Sequence, residues 1–271
     1  MTTQQRVAPT GPLLRPSAQQ PVVVKLGGSA LDAADAVLDE VAALWRAGWQ
    51  PVLVHGGGPL IDAWLRRLGL MPQFHDGRRV TDAATLEVAR AVMVGVINAD
   101  LVRRLVARGV PAIGLSGLDA GLVRAQQRDP VLGLVGLDPR VDPTPVQMLL
   151  STGYLPVIAP LALGPNDICL NINADDVALA LARALVAARL AFISDVAGVR
   201  DGAGQVIAQL APRQATQLLR DGAITGGMVP KVMACLAALD TVAAIYILDG
   251  AGATRLGALF AGEAALGTRI G

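Results

Sequence analysis

A chain of 271 residues that is 53% hydrophobic and only 17% charged can bury a large core, which excludes a disordered polymer. Its formal net charge of +1 gives no global electrostatic case for binding nucleic acid or a membrane surface. Aromatic residues make up only 3%, so Ala, Leu and Val must fill the interior.

Residues 1–20 hold Pro9, Pro12 and Pro16 among polar residues and read as a mobile N-terminal tail. Val22-Val23-Val24-Lys25-Leu26 then runs into Gly27-Gly28-Ser29, a strand buried on both faces that ends in a glycine turn. Val37, Leu38, Val41, Leu44 and Trp45 recur at helical spacing before Gly48. The strand-then-glycine design repeats at 51–54 and His55-Gly56-Gly57-Gly58, with Pro59 as a first helical residue. Ile61, Trp64, Leu65 and Leu68 mark the packed face of that helix.

Phe74 to Thr81 is polar and basic, a hairpin or loop in which Arg78 reads as solvent-facing. Thr81 or Asp82 caps a long helix to about Arg108. Its apolar set, including Leu86, Val88, Val92, Met93, Val96 and Ile97, wraps more than one face and needs cover on more than one side. A strand at 111–115 follows, then short antiparallel strands within 122–136. A proline-rich connection (139, 143, 145) leads to a short helix before Gly153. Strand 154–159 precedes the polar stretch 167–176, and a helix runs from about Ala174 to Ala187. Strand 190–194, a glycine-rich loop at 196–204 and a helix after Pro212 come next. Another helix after Thr225-Gly226-Gly227, strand 243–248, a short helix near 255–260 and strand 268–270 close the chain. Strands alternating with helices predict an α/β fold with a mostly parallel central sheet and helices on both faces.

Two common nucleotide signatures are missing. No GxxxxGK[ST] is present, and the GxGxxG begun by Gly250 and Gly252 meets Arg255. There is no Gly-x-Ser-x-Gly elbow. Cys169 and Cys235 form no metal-ligand pattern and read as buried free thiols of a reducing compartment. His55 and His75 are too few for a typical zinc site. The longest uncharged run, 143–166, is broken by prolines, and no secretory signal opens the chain, so a cytoplasmic protein is expected.

What remains is two glycine-rich strand ends, Lys25 and Lys231 beside glycines, Arg79 in a loop, and an Asn-x-Asn-x-Asp cluster. These are the parts that phosphoryl transfer needs, because it asks for positioning and charge neutralisation more than covalent chemistry. Plainer readings stand beside this one. Lys25 fits a solvated strand-to-turn junction, Asp175 a favourable charge in a first helical turn, Asn173 a helix cap, and His55 packing beneath the glycine loop.

Together, Val24-Lys25-Leu26-Gly27-Gly28-Ser29, His55-Gly56-Gly57-Gly58, Arg79-Val80-Thr81, Asn171-Ile172-Asn173-Ala174-Asp175, Ser194-Asp195-Val196, Gly226-Gly227-Met228-Val229-Pro230-Lys231 and Gly267-Thr268-Arg269-Ile270 resemble the amino acid kinase family. The resemblance runs in family order over about residues 22–271 and is strongest to its N-acetylglutamate kinase branch. It implies a three-layer α/β/α sandwich, the amino acid kinase fold. Residues 21–187 would form an acyl-amino-acid-binding lobe and 188–271 a nucleotide-binding lobe of one domain.

The implied reaction is ATP-dependent phosphorylation of the side-chain carboxylate of N-acetyl-L-glutamate, in arginine biosynthesis. Lys25 and Lys231 would stabilise the transferring group, and Asp175 would hold both lysines. Arg79, Asn171, Gly56 and Gly57 would bind the substrate. Gly27, Gly28, Ser194, Asp195, Asp201 and Lys231 would serve the nucleotide. Magnesium would be held mainly by the nucleotide phosphates, with no metal bound by the protein itself. The residue chemistry agrees: a carboxylate with pKa near ~4.3 is already ionised at neutral pH and needs no general base, and Arg79 suits bidentate carboxylate recognition.

Leu118, Ala120 and Ala99 depart from the family's usual residues, all outside the implied reaction centre. Two other functions are weighed against this one. A kinase for carrier-protein-linked aminoadipate or glutamate in lysine biosynthesis lacks Asn-Ile-Asn-Ala-Asp. A catalytically dead amino-acid-sensing domain would not need Lys25, Asp175 and Lys231. The resemblance also implies a homodimer through the helix at 82–108, with small-molecule substrates and neither nucleic acid nor membrane as partner.

Arginine-inhibited members carry an N-terminal helix and a C-terminal histidine segment. Here prolines occupy the tail, and Ala253-Thr254-Arg255 stands where the histidine is expected. Millimolar L-arginine is therefore predicted to leave the rate unchanged, as a steady-state assay with and without arginine would register.

Overall fold

The computed structural model describes residues 20–31, 34–250, 255–262 and 266–271. The expected tail, apart from Gln20, lies outside the described residues, as do Ala253 and Thr254. The central strand is β1 (Pro21–Leu26), flanked in parallel by β2 (Gln50–His55) and β11 (Arg189–Ser194). Outward from β2 lie β8 (Leu155–Ala159) and β5 (Ala112–Ser116). Outward from β11 lies β13 (Ala244–Asp249), then β14 (Thr268–Ile270) and β12 (Gln209–Leu210). This eight-stranded sheet is parallel except where β14 runs antiparallel to β13. Strands from the first 160 residues occupy one side of it and strands after residue 188 the other, so Lys25 sits on the strand where the two halves meet.

Alternation along the buried strands assigns each face its helices. Val22, Val24 and Leu26 pack against α1 (Ala34–Arg46), α2 (Gly58–Arg67), the helical run at 83–107 and α9 (Leu256–Ala261). Val23, Val52, Val54 and Phe192 face α5 (Thr144–Ser151), α6 (Ala174–Ala184), α7 (Pro212–Arg220) and α8 (Met228–Ala238). The result is the three-layer sandwich, with each fully buried Val or Leu contributing about 1.5–3 kcal/mol of transfer free energy. Pro59 lies in the first turn of α2, where its missing N–H costs no helical hydrogen bond. No described helix is long and apolar enough to cross a membrane.

The structure departs from the sequence reading in several places. The run after Asp82 is α3 (Ala83–Arg90), a π-helical segment (Ala91–Asn98) and α4 (Ala99–Ala107). Asp82 is the cap, accepting from Thr85 N at 2.8 Å. Pro139 belongs to strand β7 (Val135–Val141), not to a connection. That strand pairs with β6 (Val123–Gln126) and with β10 (Cys169–Ile172), and β9 (Leu161–Leu163) pairs with both of these to close a small barrel; the pattern revealed neither β9 nor β10. Leu68 lies outside the packed face of α2: it is the helix's C-cap and 61% exposed. Each missed strand has four residues or fewer, too short for a period of two to register.

Beneath the second glycine loop, His55 is fully buried. Its Nδ1 lies 2.9 Å from the Gly56 carbonyl, which can only accept, so Nδ1 carries the proton. Nε2 then accepts from Asn98 Nδ2 at 3.2 Å, and the same amide reaches the Val157 carbonyl at 2.9 Å. Asn98 is the last residue of the π-helical segment, which also presses Ile97 and Met93 against Gly57. Burial pushes the His55 pKa down to about 4 from the ordinary 6.5. Between those two values the unfolded chain binds a proton that the folded one refuses, so stability falls as pH falls. His55→Gln cannot titrate. Urea denaturation at pH 6.5 and at pH 4 is expected to show a stability loss smaller than the wild type's by up to about 3 kcal/mol.

Candidate active site

Three residues distant in sequence meet at the centre of the sheet. Lys25 stands near the C-terminal end of β1, in register with Phe192 of β11. Asp175 lies in the first turn of α6, where Asn173 caps the helix by accepting from Asp175 N at 2.8 Å. Lys231 lies in the first turn of α8. The Lys25 ammonium is 2.7 Å from Asp175 Oδ1, and the Lys231 ammonium is 3.2 Å from Oδ2. Lys231 also sits over the Phe192 ring, 5.7 Å from its centroid.

Burial pushes the Asp175 carboxyl up, but the two ammonium groups outweigh it and hold the pKa below the usual carboxylate value. The bridge is therefore ionised at neutral pH. Its contribution to stability is present above the ordinary carboxylate range and is lost only as pH falls through the lowered value.

Beside this bridge opens a cleft of about 350 Å³. Its lining includes Lys25, Gly28, Gly56, Gly57, Arg79 and Asn171. The two glycine loops touch through bare backbone. A Cβ on Gly28 would lie 2.9 Å from Gly58 N and 3.1 Å from Gly57 N, and one on Gly56 would lie 2.9 Å from Gly28 N. Any side chain at these positions would force the loops apart, and its absence lets three backbone nitrogens converge at the head of α2. Convergent N–H groups at a helix N-terminus favour an anion.

Arg79, in β4 (Arg78–Arg79) of a hairpin with β3 (Phe74–His75), is buried. Its guanidinium pairs with Asp62 of α2, donates to the Gly58 carbonyl at 3.2 Å and lies over the Phe74 ring. Asn171 donates to Thr81 Oγ1 at 3.1 Å, and that hydroxyl donates to the Arg79 carbonyl at 3.0 Å. The strand carrying Asn171 is thus tied to the hairpin.

The other expected residues lie outside the lining of this cleft. Gly27 packs against the end of β11, with N–H donating to the Ile193 carbonyl at 2.8 Å, and Ser194 is buried at that strand end. Asp195 is exposed beside it. Asp201 closes its own turn, accepting from Ala203 N and Gln205 N at 2.9 Å each, and no contact joins it to the lysine bridge. Four participants were given no role in the site from the sequence: Asp62, Phe74, Thr81 and Asp176. Asp62 had a faint signal as the only acidic residue of α2. Arg78 is a correction, because its side chain is half-buried and pairs with Asp176 Oδ2 at 2.9 Å instead of facing solvent.

The sequence profile of the amino acid kinase family matches residues 20–249. Acetylglutamate kinase of Symbiobacterium thermophilum is 42% identical over 255 residues, covering 88% of this chain and 87% of its own. That of Synechococcus sp. (strain CC9311) is 44% identical over 247 residues, covering 88% and 87%. Among solved structures, smu.665 from Streptococcus mutans superposes with a TM-score of 0.79 at 26% identity, covering 92% of this chain and 98% of that one.

Proposed function

Because this chain belongs to the amino acid kinase family, we propose that it transfers the γ-phosphoryl group of ATP to the side-chain carboxylate of N-acetyl-L-glutamate, the acyl-phosphate-forming step of arginine biosynthesis. Similarity to acetylglutamate kinases over most of both chains supports the substrate. The single observation that carries the chemistry is the Lys25–Asp175–Lys231 bridge beside a cleft whose lining ends in glycine N–H groups and one buried arginine.

The substrate's α-carboxylate meets the Arg79 guanidinium, and Asn171 meets its acetamido group. The side-chain carboxylate then points toward Lys25, beside Gly56 and Gly57. An oxygen of that carboxylate forms the new bond to the γ-phosphorus while the bond to the β,γ-bridging oxygen breaks, leaving ADP. The nucleophile is ionised at neutral pH, so no base removes a proton. Charge on the transferring group is met by Lys25 on the acyl side and Lys231 on the nucleotide side. Asp175 keeps two like-charged ammonium groups close together.

Residues 21–187 form the acyl-amino-acid lobe, which agrees with a cleft whose described lining residues run from Lys25 to Ala174. Residues 188–271 form the nucleotide lobe, with Gly27, Gly28, Ser194, Asp195, Asp201 and Lys231 toward ATP. Asp175 is already committed to two lysines, so the donor set suits a magnesium held mainly by the nucleotide phosphates. The enzyme works in the cytoplasm as a homodimer, a reading supported by Val94 and Val96, which the π-helical segment leaves exposed.

ADP release measured against free, N-acetylated and carrier-linked acidic amino acids tests the assignment. Turnover of N-acetylglutamate far above the others is expected, and preference for any other member of the panel would overturn it. Lys25→Ala and Lys231→Ala are each expected to lower kcat by roughly 100- to 1,000-fold with little change in KM. Arg79→Lys keeps the charge and loses the planar fork, so KM for the acylated amino acid should rise while that for ATP holds, as initial-rate kinetics with each substrate varied would show.

A further inference from the structure

Arg78 and Arg79 are consecutive in a strand, so their side chains leave it on opposite sides. Arg79 goes to α2, where it meets Asp62 and the Gly58 carbonyl. Arg78 goes to α6, where it meets Asp176 at 2.9 Å. Among the described residues the β3–β4 hairpin forms a two-stranded sheet of its own, joined to the fold at its base by the Thr81–Gly133 backbone bridge, and its tip, Asp76 and Gly77, is exposed. Both helices begin at the cleft, since Gly58 and Ala174 line it. The hairpin is therefore a strap tied by one arginine to each wall.

Arg78 also separates this cleft from a second groove of about 730 Å³ that runs between α6, α8 and β7. Its partner, Asp176, adjoins Asp175 in the same helical turn, so the strap is anchored one residue from the lysine bridge.

We propose that the Arg78–Asp176 pair is a positioning latch: it holds the β3–β4 hairpin over the cleft, so that Arg79 is presented to the substrate's carboxylate in register with the reaction centre. The latch rests on the reading of the cleft as the acyl-amino-acid site. Arg78 itself touches no reacting atom. Losing the latch weakens substrate binding and leaves the lysine chemistry in place, which separates KM from kcat.

The test combines kinetics with amide hydrogen exchange in the ligand-free protein. In Arg78→Met, exchange across 74–80 is expected to quicken about tenfold while exchange across 21–26 stays as in the wild type. KM for N-acetylglutamate should rise about tenfold, with kcat and KM for ATP within about threefold. Combining Arg78→Asp with Asp176→Arg should restore both. Unchanged exchange across the hairpin in Arg78→Met overturns the latch. A raised KM with unchanged exchange does the same and makes Arg78 a direct substrate contact. If the reversed pair does not fold, Asp176→Asn must reproduce the exchange and KM of Arg78→Met or the latch falls. A wild-type protein inactive on N-acetylglutamate would overturn the functional reading instead, while exchange in the single variants still decides the latch.

Discussion

Two ammonium groups meeting on one carboxylate is the constraint on which the rest of the structure depends. Lys25 and Lys231 would repel one another if left alone. Asp175 offsets that repulsion, and burial that would raise its own pKa is outweighed by the pair of lysines. The arrangement holds only if β1, α6 and α8 arrive together, because each contributes one member. The parallel sheet secures this by making β1 its central strand and by bringing α6 and α8 onto the same face.

Around the bridge, backbone does what side chains usually do. Gly28, Gly56 and the head of α2 approach so closely that the missing Cβ atoms are what let the two loops meet. Such contact needs a firm support, and His55 and Asn98 supply it from below. One neutral imidazole and one amide connect the Gly56 carbonyl to the Val157 carbonyl on β8. Burying these polar groups is tolerable because every one of them finds a partner. The π-helical segment delivers Asn98, Ile97 and Met93 to this support from one short stretch, in keeping with the frequent siting of such segments at functional places.

On the acyl side, the short hairpin has little of its own to hold it. Two residues per strand cannot form a stable ladder in isolation. Its position comes from a backbone bridge at its base, between Thr81 and Gly133, and from three side-chain ties: Arg79 to Asp62, Arg78 to Asp176, and Asn171 to Thr81. Under the proposed assignment, a substrate carboxylate arriving here would meet a guanidinium already oriented by an acid and a carbonyl, which lowers the ordering cost of recognition.

The long elements were legible from the residues alone. Val22 to Leu26, 51–54 and 190–194 are apolar runs whose burial on two faces leaves little else they could be. Glycines and prolines punctuate the helices clearly, and Lys25 and Lys231 beside glycines, with Arg79 and an Asn-x-Asn-x-Asp stretch, pointed to phosphoryl transfer. Three things were decided only in three dimensions. The strands β9 and β10 are too short to carry a period, so their barrel depends on partners far along the chain. The π-helical register at 91–98 follows from packing, because an apolar stretch with Gly95 fits an α-helix equally well in sequence. The pairing of Arg78 with Asp176, and of Arg79 with Asp62, was hidden as well. Composition cannot tell a solvated arginine from a tethered one when the partners lie 98 and 17 residues away. Local pattern determines what a segment is, and tertiary structure decides which charges meet, because Coulomb attraction depends on distance in space and leaves no period in the sequence.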